Sequence, residues 1–71
     1  METAMQHVSS SNVASIGYNP EDKVLVVEYH SGGVYNYYDV EQHVYESLML
    51  ASSKGGFIAR NIKGRYSYDR V

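Results

Sequence analysis

The chain has no cysteine and no tryptophan, and its 71 residues include one phenylalanine and one proline. Without cysteine there is no disulfide, and zinc sites that use thiolates are excluded as well. The longest stretch without a charged side chain, Thr3 to Pro20, is rich in Ser, Asn and Gly. Nothing in the sequence therefore reads as a membrane-spanning helix. The opening METAMQHVSSSN lacks the basic-then-apolar pattern of a secretory leader,. The default expectation is a soluble, cytoplasmic protein. Cations are scarce through most of the chain. Residues 1–51 carry Lys23 alone against seven carboxylates, whereas residues 52–71 carry five cations against Asp69. A basic C-terminal segment hides behind a net charge of −2. It suits an anionic partner, or it neutralises the acidic part within one compact fold.

What the chain does have is tyrosine, eight in all. Three fall within VYNYYDV, Val34 to Val40, and two more in GRYSYDRV near the end. A tyrosine fills a core with its ring and keeps a polar tip at the edge, but it also offers a face on which bases stack. Length allows one domain, expected over residues 9–71 after a loose terminus at 1–8. A domain this small buries only about 60% of the surface that its unfolded chain exposes, so its core is thin.

Hydrophobic periodicity predicts an α+β fold. VASIGY alternates as a strand, with Ala14, Ile16 and Tyr18 on one side and Val13, Ser15 and Gly17 on the other,. NPED is a turn, with Asn19 capping it and Pro20 presetting φ. KVLVVEYH is a second strand with an apolar face of Leu25, Val27 and Tyr29,. VYNYY returns as a third. A two-residue loop at Ser31-Gly32 would set Asn36 opposite Val27 and bury an amide. A three-residue loop, His30 to Gly32 with Gly32 left-handed, pairs Val27 with Tyr35 and Leu25 with Tyr37. Only the second register matches the apolar pattern, because a one-residue slip turns every side chain over. It sends Tyr35 and Tyr37 inward and Val34, Asn36 and Tyr38 outward.

DVEQHVYESLMLA predicts the main helix, with Asp39 as N-cap, Gln42 completing a capping box, and Val44, Leu48 and Ala51 forming the buried stripe,. SSKGG is expected to end it with a left-handed glycine. FIARNIK suits a two-turn helix ended by Gly64, and RYSYDRV a final strand or an extended tail. The expected architecture is thus a three-stranded antiparallel meander with one main helix on one face, a short second helix and a C-terminal strand or tail.

These residues resemble the KTSC domain, a family named for the C-terminal extension of some lysyl-tRNA synthetases and found also as free-standing small bacterial and phage-type proteins. The resemblance runs from about Ser9 to Val71. It rests on the Ser-Asn start, IGY at 16–18, VYNY at 34–37, VYESL at 44–48, ASSKG at 51–55 and the closing YSYDRV. A central Tyr-x-Tyr, here Tyr35 and Tyr37, is the family's marker. Glu41 stands where the family often has Pro, and Ile58-Ala59 where it often has Phe-Asn. The resemblance implies this α+β fold and, through attachment to a tRNA-charging enzyme, RNA binding. It implies no catalytic residue.

The chemistry points away from catalysis. No serine sits in a nucleophile-elbow setting. His7, His30 and His43 share no metal-ligating spacing. No metal or cofactor is expected. Two kinds of binding function fit. In the first, Lys54, Gly55 and Gly56 entering a helix supply backbone N–H groups and a cation for phosphate, although a glycine cap explains the same residues. Arg60 and Lys63 share a helix face, Arg65 and Arg70 follow, and Tyr38, Tyr66 and Tyr68 stack bases. This describes a module for RNA or a nucleotide-like anion. It competes with a plainer arrangement in which Tyr66 and Tyr68 pack inward and the cations are solvated. In the second, outward Val24, Val26, Val34 and Tyr38 form an apolar patch for self-association.

Overall fold

Strand β3 (Val24–Tyr29) lies at the centre of the sheet, and its neighbours follow from its two faces. The computed structural model describes residues 3–71. Five strands pair antiparallel in the order β1 (Met5–His7), β2 (Val13–Asn19), β3, β4 (Val34–Tyr37), β5 (Tyr68–Arg70). Helices α1 (Gln42–Leu50) and α2 (Lys54–Asn61) lie between β4 and β5 in the chain. The expected three-stranded meander is the middle of this sheet; the structure adds β1 at one edge, and the segment expected as a C-terminal strand or tail pairs as strand β5 at the other. The residues expected as a loose terminus contribute β1, apart from Met1 and Glu2, which lie outside the described residues.

The β3–β4 register is the one the apolar pattern requires. Leu25 faces Tyr37, Val27 faces Tyr35, and Gly32 takes φ +101° at the end of the three-residue loop. That conformation costs a side-chain-bearing residue energy and glycine none. The NPED turn forms as expected, with Asn19 Oδ1 accepting from the N–H groups of Glu21 and Asp22. In β2 the faces differ from simple alternation. The ladder skips Ala14, so Val13 opposes Tyr29 while Ser15 opposes Glu28. This bulge turns Val13 onto the core face beside Ile16. Both are fully buried.

The sheet's inner face meets Val40, Leu48, Ile58 and Ile62, all of them buried. Val40 explains why α1 begins later than predicted. Its N–H donates to the Lys23 carbonyl at 2.9 Å, and its carbonyl accepts the Tyr18 hydroxyl. The chain must turn sharply after Tyr38 to place Val40 there, and Asp39 makes that turn at φ +59°. Asp39 is therefore not the N-cap. Glu41 occupies that position without a side-chain cap bond, and the capping box with Gln42 does not form. The stripe forms around Leu48, with Val44, Tyr45 and Met49 packed against the core. Tyr45 stacks on Tyr18 at 4.9 Å between ring centroids.

The second correction is at the helix junction. Ala51, not a glycine, caps α1, and neither Gly55 nor Gly56 has positive φ. Ser53 Oγ accepts from the Gly56 N–H at 3.1 Å and starts α2 at Lys54. A serine N-cap satisfies a donor that would otherwise lack a partner. Burial of Ile58 and Ile62 sets which face of α2 turns inward.

Replacing Tyr37, which is 3% exposed, with Ala should cost about 3–5 kcal/mol, a large share of a small domain's stability,. Replacing its outward neighbour Tyr38 with Ala should leave the domain folded. Urea denaturation of the two variants checks both.

Candidate functional site

Opposed residues share a face, so the β3–β4–β5 register lines up tyrosines. Tyr35 opposes Arg70, and Tyr37 opposes Tyr68. Tyr29 lies at the end of β3, and its ring meets Tyr35 edge-on at 5.6 Å. Tyr68 lies 5.9 Å from Tyr35 and 5.8 Å from Tyr37. These four rings form one wall and the floor of a cleft of about 690 Å³. The turn after α2 supplies Lys63 and Gly64 opposite them.

Lys63 Nζ sits 5.6 Å above the Tyr29 ring, and the Arg70 guanidinium 5.8 Å from the Tyr35 ring. Cations are attracted to ring faces at such distances. Gly33 makes room for the second contact, since a Cβ there would lie 3.2 Å from the Tyr35 ring and 3.6 Å from the guanidinium. Among the described residues no carboxylate lines the cleft. The one ion pair among the described residues, Lys23–Glu41, involves neither cation. The result is an aromatic hollow with two positive charges and no acid to neutralise them. The Tyr29 hydroxyl is buried and has no hydrogen-bond partner among the described residues. Burial, followed by the Tyr29 hydroxyl beside it, pushes the Tyr37 phenol well above its ordinary pKa.

The predicted site residues divide among several places. Lys63, Arg70 and Tyr68 meet in the cleft. Tyr66 packs against the core and does not line it. Tyr38 lies on the opposite side of the sheet, where its hydroxyl donates to Asp69 at 2.8 Å. That carboxylate is the main reason its pKa is raised. Arg60 and Lys63 do not share a helix face, because α2 ends at Asn61 and Lys63 lies beyond it, its N–H donating to the Ile58 carbonyl. Arg60 folds back toward Gly56, and Arg65 is exposed outside the cleft.

Lys54, Gly55 and Gly56 form the first turn of α2, beside a smaller hollow of about 340 Å³ whose rim is mostly serine. Lys54 Nζ donates to the Ala51 carbonyl at 2.6 Å, so this ammonium closes the helix junction. Three cleft tyrosines went unrecognised as site residues in the sequence, and one of them, Tyr37, is buried as its core reading expected. Tyr29 and Tyr35 read as core there, and they are half-buried, with the core behind them and the cleft in front. The available signal was a face with more tyrosine than a thin core can enclose.

On the outer face, Val26 and Val34 line a shallow apolar channel of about 520 Å³ together with Met5 and Val71. Val24 is half-buried on the same face but does not line the channel. The Ser15 hydroxyl donates to Glu28 there at 2.6 Å. The three histidines lie apart, and among the described residues no group of three metal-ligating side chains gathers. No helix of the described residues is long and apolar enough to cross a membrane.

Comparison with known proteins places this architecture. The profile of the KTSC domain matches residues 9–66. The chain is 36% identical to a protein of Tsukamurella paurometabola over 62 residues, 87% of this chain and 92% of that one. It is 34% identical to a lysine–tRNA ligase of a Nostoc species over 61 residues, 86% of this chain but 11% of the ligase. A crystal structure of a KTSC domain protein from Yersinia pestis superposes with a TM-score of 0.95 at 34% identity, covering 99% of both chains.

The raised Tyr37 pKa has a consequence for stability. A free phenol ionises near 10.0. Below that pH the native and unfolded chains both keep the proton. Above it the unfolded chain loses the proton while native Tyr37 holds it, so stability falls as pH rises. Denaturation midpoints should be level up to about pH 9 and decline beyond, and Tyr37→Phe should make that decline shallower.

Proposed function

The chain belongs to the KTSC domain family, and on that premise we propose that it is a non-enzymatic binding module for RNA or a nucleotide-like anion. The observation that carries this reading is the convergence of Lys63 and Arg70 on a tyrosine-lined cleft with no carboxylate among the described residues that line it. Aromatic faces stack bases of any sequence, and unpaired cations hold phosphates. The ligand enters between β5 and the turn after α2. Lys54, Arg60 and Arg65 lie outside the cleft and add long-range attraction to an anion. The similarity to a segment of a lysine–tRNA ligase is consistent with a partner made of RNA.

The alternative is self-association through the outer face. Its support is the apolar channel beside Val26 and Val34, at whose rim Met5 is 40% and Val71 79% exposed. A second copy of this chain would cover them, and would enlarge a core that is thin for one subunit alone.

Fluorescence anisotropy with labelled single-stranded RNA tests the first reading. Affinity should fall as salt rises, and Lys63→Ala with Arg70→Ala should flatten the dependence of log K on log salt by about 1.4, at roughly 0.7 per phosphate contact. Binding that ignores salt, or that survives the double variant unchanged, would count against the cleft. For the alternative, sedimentation should show mass rising with concentration in the native chain and less so in Val26→Lys. A monomer at every concentration would remove that reading.

A further inference from the structure

Four tyrosines line the cleft, but their ring faces are not equally available. Lys63 lies over Tyr29, and Arg70 lies over Tyr35. Tyr37 is buried. Tyr68, on the edge strand β5, is 58% exposed and is the ring with a face left open to a ligand. One open face stacks one base, whereas a site that tracks a polymer presents successive rings to successive bases. The charges follow the same pattern. Lys63 and Arg70 are the cations of the cleft, one from the turn after α2 and one from β5. Lys54 lies at the other end of α2, the Arg60 guanidinium folds back from the last turn toward Gly56, and neither they nor Arg65 line the cleft. A volume of about 690 Å³ falls within the usual range for small-ligand pockets,.

We infer that the cleft holds a single nucleotide unit, one base stacked on Tyr68 with one phosphate held by Lys63 and Arg70. This rests on the binding reading above and narrows it, from nucleic acid in general to one base bearing one phosphate. A free mononucleotide and the phosphorylated end of an RNA share that chemistry. The interior of an RNA strand does not, because its neighbouring nucleotides would find no further open ring face and no further cation among the described residues that line the cleft. The two cations also need not leave the site to admit the ligand. They stay over Tyr29 and Tyr35 and hold the phosphate from there, so those two ring faces remain covered.

The test is calorimetric titration of the intact chain with uridine monophosphate, uridine, inorganic phosphate and a length series of uridylate oligomers with and without a terminal phosphate. Uridine monophosphate should bind no more than about threefold more weakly than the longest oligomer, with a salt slope no steeper than about −0.7 for the one phosphate. Uridine and inorganic phosphate alone should each bind at least about tenfold more weakly than the monophosphate. Tyr68→Leu, which keeps an apolar side chain on the edge strand, should weaken the monophosphate about tenfold or more, as loss of a stacking partner does. Tyr68→Phe should bind like the native chain, which guards against a variant that merely loosens β5. Oligomers with a terminal phosphate that match the monophosphate would identify an RNA end as a source. Oligomers that bind far more weakly would identify the free nucleotide.

Affinity that climbs more than about tenfold with oligomer length would overturn the single-unit inference and leave the binding reading in place. So would inorganic phosphate equal to the monophosphate, or an unchanged Tyr68→Leu. If no nucleotide of any length binds, the binding reading itself falls.

Discussion

The pairing of β3 with β4 is the constraint on which the rest of this domain depends. Leu25 opposite Tyr37 and Val27 opposite Tyr35 decide which side of the sheet becomes the core. A slip by one residue would put Asn36 inside and every tyrosine of β4 outside. It would also misplace β5, whose Tyr68 and Arg70 take their positions from Tyr37 and Tyr35. The core and the cleft are thus two consequences of one register. Gly32 holds it, because the three-residue loop needs a left-handed residue at its last position,.

A thin core explains why tyrosine is the residue used there. The inner face of the sheet is wider than the two short helices cover. Leu25, Val27 and Ile16 lie beneath them and are fully enclosed. Toward β5 the cover ends, and Tyr29, Tyr35 and Tyr68 pass from half-buried to exposed. A leucine at those positions would leave bare apolar surface. A tyrosine carries its ring into the packed layer and its hydroxyl to the edge. The cations complete this margin, as Lys63 and Arg70 shield ring faces that the helices do not reach. The same features make a binding site, since a half-covered aromatic layer with unpaired positive charge is what an anionic aromatic ligand complements.

Two places in the chain with strong local signals show how packing overrides them. Asp39 has the identity and spacing of an N-cap, yet it serves as a left-handed turn, because burying Val40 against Lys23 and Tyr18 matters more than one capping bond,. Gly55 and Gly56 have the look of a helix stop, yet they open α2, because Ser53 caps it and Ile58 and Ile62 must reach the core. In both cases the local preference amounts to about 1 kcal/mol, and burial of a whole aliphatic side chain to about 1.5–3 kcal/mol.

The sequence by itself determined the features whose causes are local. Alternation placed β2, β3 and β4. The Asn19 turn and the Gly32 loop followed from residue type, the buried stripe placed α1 around Leu48, and the β3–β4 register followed from matching two apolar faces across a short loop. Tertiary structure alone decided the rest. The edge strands are three residues each. The first has no periodicity long enough to read, and the alternation in RYSYDRV leaves a strand or a tail open, so both depend on partners far along the chain, Val13–Asn19 for β1 and Val34–Tyr37 for β5. The bulge at Ala14 likewise exists only in the pairing of β2 with β3. The cleft has the longest dependence of all. Lys63 and Arg70 belong to a basic run that the sequence displays plainly, but Tyr29 and Tyr35 come from another hairpin. The turn after α2 carries Lys63 to Tyr29, and only the closure of β5 on β4 brings Arg70 onto the Tyr35 ring, because that contact spans 35 residues from Tyr35 to Arg70 and no local signal encodes it.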